Sequence, residues 1–227
     1  MSNMTHEEKL HLKTNDPMAR QGEKEVEDDG ISPMSPPEAF EPPAKEAIAY
    51  DEMHPFLQRL YDEHEPFKKV IDGLESALKD IKEGTMTREK DKLVRDFFEF
   101  FDQEFISHNL KEEKILFALL HNRLLESGEH SKGEVPQTAV DVLEGDHRTA
   151  IQKSAVVFNL LSIFHRLPDK SSSLMILDLA LSQGFELVEE LRLHIFREEN
   201  VVFPLAHKLI RRDEFEAMEM KEKSGFC

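Results

Sequence analysis

The chain has 227 residues, of which 39% are hydrophobic and 33% are charged, and its formal net charge at pH 7 is −17. This negative balance argues against nucleic acid as a partner, because the phosphate backbone would be repelled. No apolar run approaches the roughly 18 residues that a bilayer span needs, so we expect no membrane segment. The length predicts one domain with an additional segment.

Cysteine content and the N-terminal residues predict a cytoplasmic protein. The single cysteine, Cys227, cannot form an intramolecular disulfide, which is typical of a reducing compartment. The first residues lack the basic and apolar regions of a secretion signal.

Residues 1–48 differ in composition from the rest of the chain. Residues 23–30 are strongly charged, and residues 32–43 are rich in proline. Such segments bury too little apolar surface to offset the entropy lost on ordering. We expect a disordered acidic and proline-rich tail; the alternative is a docking arm for a protein partner that the sequence does not identify.

Residues 49–211 carry long stretches of helical period, and no strand-like alternation competes with them. Four segments are predicted at about 54–81, 87–125, 136–166 and 172–211. Short connections of this kind join antiparallel neighbours, so the fold class is an all-α four-helix bundle. A short helix at about 212–222, followed by a C-terminal tail, completes the predicted chain.

Local signals support these helix ends. Pro55 suits a first helical position, and Gly128 suits a C-terminal stop. The third segment is expected to begin at Pro136. Ser171, Ser172 and Ser173 supply hydroxyls that can cap the fourth segment.

Each long segment has an apolar stripe interrupted by one histidine. The stripes follow the i, i+3, i+4 and i+7 spacing of a buried helix face. We expect Leu119 on the second core face and Ile151 on the third. The four histidines are His64, His108, His147 and His194.

Two of the stripes also carry a glutamate four residues after the histidine. Glu112 follows His108 and Glu198 follows His194, so in each pair imidazole and carboxylate share one helix face. The neighbouring residues Glu113 and Glu199 are expected to point outward.

Buried carboxylates are costly unless they are paired or bound to metal. Two cations bridged by both carboxylates, with two histidines for each cation, would remove that cost, and this donor set suits iron, manganese or zinc. His130 with Glu134 and His165 with Asp169 have similar spacing, but they lie in or beside predicted connections. A single core histidine is more often structural than a ligand; four with two glutamates in register favour a metal site.

Residues 53–210 resemble the hemerythrin-like (HHE) cation-binding domains. The motifs that carry the resemblance are Asp62-Glu-His64-Glu, His108-Asn-Leu-Lys-Glu112-Glu-Lys-Ile-Leu-Phe, Gly145-Asp-His147 and His194-Ile-Phe-Arg-Glu198-Glu-Asn-Val-Val-Phe-Pro204. The resemblance implies an up-down-up-down bundle with a carboxylate-bridged di-iron centre, with or without an oxo bridge. Manganese and zinc are the alternative metals.

The sequence departs from oxygen-carrying hemerythrins at position 151. Those proteins have a second histidine one turn after the third-helix histidine, whereas this chain has Ile151. The remaining ligands are similar to those of di-iron proteins that repair iron–sulfur clusters, but residues 1–50 contain no cysteine of the kind that their N-terminal domain carries.

Three functions are consistent with these residues. The leading hypothesis is a di-iron protein that binds or senses dioxygen, nitric oxide, peroxide or iron itself. A second is a di-iron enzyme that reduces peroxide or nitric oxide or supports iron–sulfur repair. A third is a helical interaction module with a structural metal. The sequence does not decide whether the protein is an enzyme.

Several further residues have weaker interpretations. Tyr61 lies one turn before His64, where it could donate a hydrogen bond or be oxidised, although core packing is the simpler explanation. Glu144 is a candidate partner for orienting the His147 ring. Surface or helix-end positions are expected for the remaining histidines considered, which are His54, His121, His165 and His207.

Overall fold

The computed structural model describes residues 48–85, 87–164 and 166–223, and the part of the chain that it describes is helical and contains no strand. The predicted all-α helical bundle is therefore confirmed. Residues 1–47, which make up nearly all of the predicted tail, lie outside the described residues, as do His165 and Cys227. Among the described helices, none is long and apolar enough to cross a membrane.

In the described ranges, five helices follow a short 3-10 turn at Tyr50–Glu52. Helix α1 is Pro55–Lys82, α3 is Ala139–Phe164 and α5 is Arg212–Lys223. Helix α2 (88–127) consists of α-helical Arg88–Phe100, Ile106–Lys111 and Ala118–Ser127, joined by π-helical Phe101–Phe105 and Glu112–Phe117. Helix α4 (170–209) consists of α-helical Lys170–Arg197 and Phe203–Leu209, joined by π-helical Glu198–Val202.

The helix ends match most of the sequence signals. Helix α1 begins at Pro55, and α2 ends at Gly128, whose φ of 78° lies in the left-handed region that glycine tolerates. Helix α3 begins at Ala139 rather than Pro136. The predicted serine cap of α4 is wrong: the carboxylate of Asp169 accepts a hydrogen bond from the backbone N–H of Ser172 at 2.8 Å.

The π-helical turns explain the spacing of the buried residues. Along α2 and α4 buried side chains recur in steps of four, whereas a regular α-helix has 3.6 residues per turn. A wider turn takes up the surplus residue, and π turns occur often at functional sites. Across the π turns the steps are Phe97, Phe101 and Phe105, then Glu112, Leu116 and Leu120 in α2, and Glu198, Val202 and Ala206 in α4.

The π turns also correct one predicted core position. Leu119 is only half-buried, while Leu120 is fully buried, because the π turn at Glu112–Phe117 rotates the face that follows it. The π turn of α4 precedes Pro204. A proline ring in a regular α-helix would meet the carbonyl four residues earlier, and a wider turn accommodates it.

The chain divides into two compact units, and the second consists of Gln58–Lys114 and Glu144–Phe196. Its core is formed by apolar residues of α1, α2, α3 and α4, including Phe67, Leu74, Phe97, Val157 and Leu187. The prediction that Ile151 belongs to this core is wrong, since its side chain is 43% exposed. The buried face of α3 continues instead through Ala150, Ser154 and Val157.

The first unit contains described residues 48–57, 115–143 and 197–223. In it, the His54 ring stacks on Phe215 with centroids 4.6 Å apart. His121 lies with its Nδ1 atom 3.0 Å from the Thr138 hydroxyl. These contacts are typical of structural histidines.

Candidate metal centre

The six predicted ligands are all buried side chains. Glu112 and Glu198 are 0% exposed, and the four histidines are between 1% and 6% exposed. Two ionisable carboxylates without solvent access require compensation by charge, by hydrogen bonds or by metal. The six residues are His64, His108, Glu112, His147, His194 and Glu198.

The structure brings these residues together in two groups that share one glutamate. One group contains Glu112, His147, His194 and Glu198, and the other contains His64, His108 and Glu198. Within each group every residue offers a potential ligand atom, and these atoms lie within 4.8 Å of one another. Each group therefore has donors for one metal ion.

Glu112 is positioned between the two groups. Its Oε1 atom lies 3.6 Å from Nε2 of His108, and its Oε2 atom lies 3.4 Å from Nε2 of His147. Both distances exceed the usual 2.7–3.2 Å of a hydrogen bond. The two oxygens of one carboxylate thus face histidines of different groups, which is the arrangement of a bridging carboxylate.

The histidine rings form two pairs. The rings of His64 and His108 have centroids 5.1 Å apart, and those of His147 and His194 have centroids 4.8 Å apart. The edge of Phe105 lies near the second pair, with its centroid 6.2 Å from His147 and 6.1 Å from His194. An apolar ring here keeps water from one side of the imidazoles.

Glu63 fixes the orientation of the His108 ring. Its Oε2 atom lies 2.8 Å from Nδ1 of His108, and its Oε1 atom accepts a hydrogen bond from the Lys111 ammonium at 2.5 Å. Burial raises the pKa of Glu63. The hydrogen bonds to His108 and Lys111 together lower the pKa by more than burial raises it, so the pKa of Glu63 falls below the ordinary value. An ionised Glu63 accepts the Nδ1 proton and leaves the Nε2 lone pair of His108 free to bind a metal.

Glu113 performs the same task for His147. Its Oε1 atom lies 2.8 Å from Nδ1 of His147. Glu113 is only half-buried, and its carboxylate contacts His147 of α3 rather than pointing into solvent as predicted. The prediction that Glu144 orients His147 is wrong: Glu144 is half-buried and lies 3.9 Å from Arg148.

Two further side chains, Asp146 and Tyr61, lie near histidine rings of the site. The Asp146 carboxylate lies 3.8 Å from Nδ1 of His194, which is too long for a hydrogen bond. The Tyr61 ring lies 6.2 Å from the His64 ring and 5.5 Å from the Lys68 ammonium. His130 and Glu134, the alternative pair in the sequence, lie outside the helices.

A cavity of about 460 Å³ reaches the first histidine pair. It is lined by residues of α1 and α2, and both His64 and His108 form part of its wall. The sequence alone does not predict this cavity, because the cavity depends on how side chains of two helices pack.

The chain matches the model of one known family. The hemerythrin HHE cation-binding domain matches residues 55–206, about two-thirds of the chain. The chain belongs to this family. Among curated proteins, none is detectably similar to it. Membership implies a cation site, commonly occupied by iron, and the buried His/Glu cluster of this hemerythrin-family chain is suited to that role.

The donor set fits such ions on chemical grounds. Four imidazoles and two carboxylates suit iron, manganese or zinc, and no thiolate is present among the six residues. Burying the carboxylates of two glutamates completely would be costly without metal, whereas two divalent ions would offset both negative charges.

Proposed function

We propose that this hemerythrin-family chain binds two iron ions and presents one of them to a small ligand, either dioxygen, nitric oxide or peroxide. His64 and His108 would hold one ion, and His147 and His194 the other. Glu112 and Glu198 would bridge the two. Iron bound in this way would supply a redox-active Lewis acid with coordination positions for an external ligand.

The observation that carries the proposal is the placement of two buried carboxylates between two histidine pairs. The oxygens of Glu112 lie 3.6 Å from Nε2 of His108 and 3.4 Å from Nε2 of His147, and Glu198 belongs to both groups. Two histidines and two shared carboxylates would leave coordination positions on each iron for an external ligand. The small ligand would bind on the His64 and His108 side, where the cavity lies.

Neighbouring residues would hold this arrangement ready for metal. Glu63 and Glu113 each accept the Nδ1 proton of a histidine, so that Nε2 of His108 and of His147 need no rearrangement to coordinate. Phe105 shields His147 and His194 from one side. These contacts favour exchange of small ligands at the other pair.

Anaerobic reconstitution with ferrous iron, followed by titration with nitric oxide, dioxygen or hydrogen peroxide, tests the proposal. We expect saturable changes in the near-ultraviolet and visible charge-transfer absorption with at least one of the three. His64→Ala should reduce this absorption change more than His147→Ala does, because His64 lines the cavity through which the small ligand would enter. Catalytic turnover of peroxide or nitric oxide would identify an enzyme, whereas stoichiometric zinc without a ligand response would contradict the proposal and favour a structural metal.

A further inference from the structure

The cavity beside His64 and His108 is far larger than a diatomic ligand requires. Its volume is about 460 Å³, whereas a water-sized molecule occupies about 30 Å³. Pockets for organic ligands occupy about 300–1,000 Å³. The cavity therefore has room for an organic molecule of modest size, and we name it the Phe100 pocket after the ring in its wall.

The Phe100 pocket has an aromatic floor. Phe67, Phe100 and Phe105 all line it. The rings of Phe67 and Phe100 are stacked with centroids 5.7 Å apart, and those of Phe67 and Phe105 are 4.9 Å apart. Aromatic floors bind flat apolar groups and attract cations through the ring faces.

Its rim is acidic and lacks basic side chains. Four carboxylates line the pocket, and none of the lining residues is lysine or arginine. Two of the four are neutralised by neighbours, since Glu63 pairs with Lys111 and Asp96 pairs with Lys92. Glu99 and Glu104 are exposed and pair with no basic residue in the described part of the chain. The rim thus has an excess of negative charge.

The inner wall of the pocket is formed by the buried rings of His64 and His108. The Nε2 atom of His108 is assigned to the proposed metal position, so the organic ligand is not expected to use it. The π turn Phe101–Phe105 supplies the adjacent part of the wall. The aromatic rings and the rim carboxylates Glu99 and Glu104 are the features that would recognise a ligand.

We propose that the Phe100 pocket binds an organic cation in which an aromatic ring carries a short alkylammonium group. The ring lies against Phe67 and Phe100, and the ammonium lies near Glu99 and Glu104. This inference goes beyond the proposed iron function and does not require that the metals be present.

Calorimetric titration of the full chain with phenethylamine tests the proposal. Two probes of similar shape, neutral 2-phenylethanol and anionic 3-phenylpropionate, separate ring recognition from charge recognition. We expect phenethylamine to bind at least about tenfold more tightly than 3-phenylpropionate at low salt, and the preference to shrink as salt screens the rim. Equal affinities for the three probes, or no saturable binding of the amine at millimolar concentrations, would overturn the proposal.

Variants locate the binding. The double variant Glu99→Gln/Glu104→Gln should weaken amine binding about three- to tenfold and leave the alcohol unaffected. The matched variant Glu83→Gln/Glu134→Gln removes two exposed carboxylates outside the pocket and should change neither. Phe100→Leu keeps apolar bulk but removes a ring face, so it should weaken amine binding. If Phe100→Leu binds the amine with unchanged affinity and Mg²⁺ competes fully for the pocket, the pocket recognises charge alone and the proposal is contradicted.

Iron content measured on the same samples keeps the two proposals separate. Protein that holds two irons per chain but does not bind the amine contradicts only the pocket. Protein that binds the amine but holds no iron supports the pocket and contradicts the iron function.

Discussion

The Glu113 carboxylate lies 2.8 Å from Nδ1 of His147 and thereby joins helix α2 to a proposed metal ligand on α3. Glu113 is the immediate neighbour of Glu112, which is fully buried. Consecutive glutamates therefore have two different positions: Glu112 faces the proposed metal position, and Glu113 orients a proposed ligand from outside.

Glu113→Ala is expected to lower metal affinity about 10- to 100-fold, because His147 loses the acceptor that fixes its ring. Competition with a metal chelator measures the change. Glu144→Ala is the matched control, since Glu144 lies near Arg148 rather than holding His147, and it should bind metal like the unaltered chain. Equal losses in both variants would contradict the assigned role of Glu113.

Glu63→Gln is expected to affect one metal position more than the other. The variant weakens the acceptor for His108 while the contact between Glu113 and His147 stays, so the position held by His64 and His108 should lose affinity about 10- to 100-fold. Metal titration should then resolve one tightly bound ion and one weakly bound ion. Glu65→Gln, which changes an exposed carboxylate near Lys68, should leave both ions tight.

Glu112→Gln is expected to have opposite effects on stability with and without metal. In metal-free protein it replaces a buried ionisable group with a neutral amide of the same shape, so thermal stability should stay unchanged or rise, because burying a charge costs more than burying an amide. In metal-loaded protein it removes a ligand, so metal content and melting temperature should fall together. Melting curves of both forms, with Glu83→Gln as a surface control, measure this; a destabilisation of equal size in both forms would count against metal ligation by Glu112.

Asp169 is expected to stabilise the start of helix α4. Hydrogen bonds from Ser172 lower the pKa of Asp169 below its ordinary value of 3.8. A lowered folded pKa favours the charged form, so this stabilisation is present above pH 3.8 and disappears as pH falls through the lowered folded value. Asp169→Ala should lower the melting temperature at neutral pH, and the difference should vanish in acid, whereas Ser171→Ala should have little effect at either pH.

The sequence predicted most of the fold because its signals are local. Pro55, Gly128 and the apolar stripes act within a few residues, so helix positions and the burial of the six candidate ligands could be inferred from spacing. Asp169, which follows Pro168, and the adjacent serines can all cap a helix, so the local sequence does not decide which of them caps α4.

The remaining features depend on contacts between helices. The angular position of Glu113 around α2 predicts that its side chain points away from the core face of α2. It does not predict that α3 lies within reach of the carboxylate. Regular α-helical spacing does not predict the π turn that contains Phe101 and Phe105. The same regular spacing places Ile151 on the core face of α3, whereas Ser154 continues that face.

Metal analysis of the chain after anaerobic reconstitution tests the central claim most directly. The account predicts two iron ions per chain for the unaltered protein and a loss of both in Glu198→Ala, because Glu198 belongs to both groups. Two irons retained by Glu198→Ala, or fewer than one metal ion bound by the unaltered protein, would contradict it.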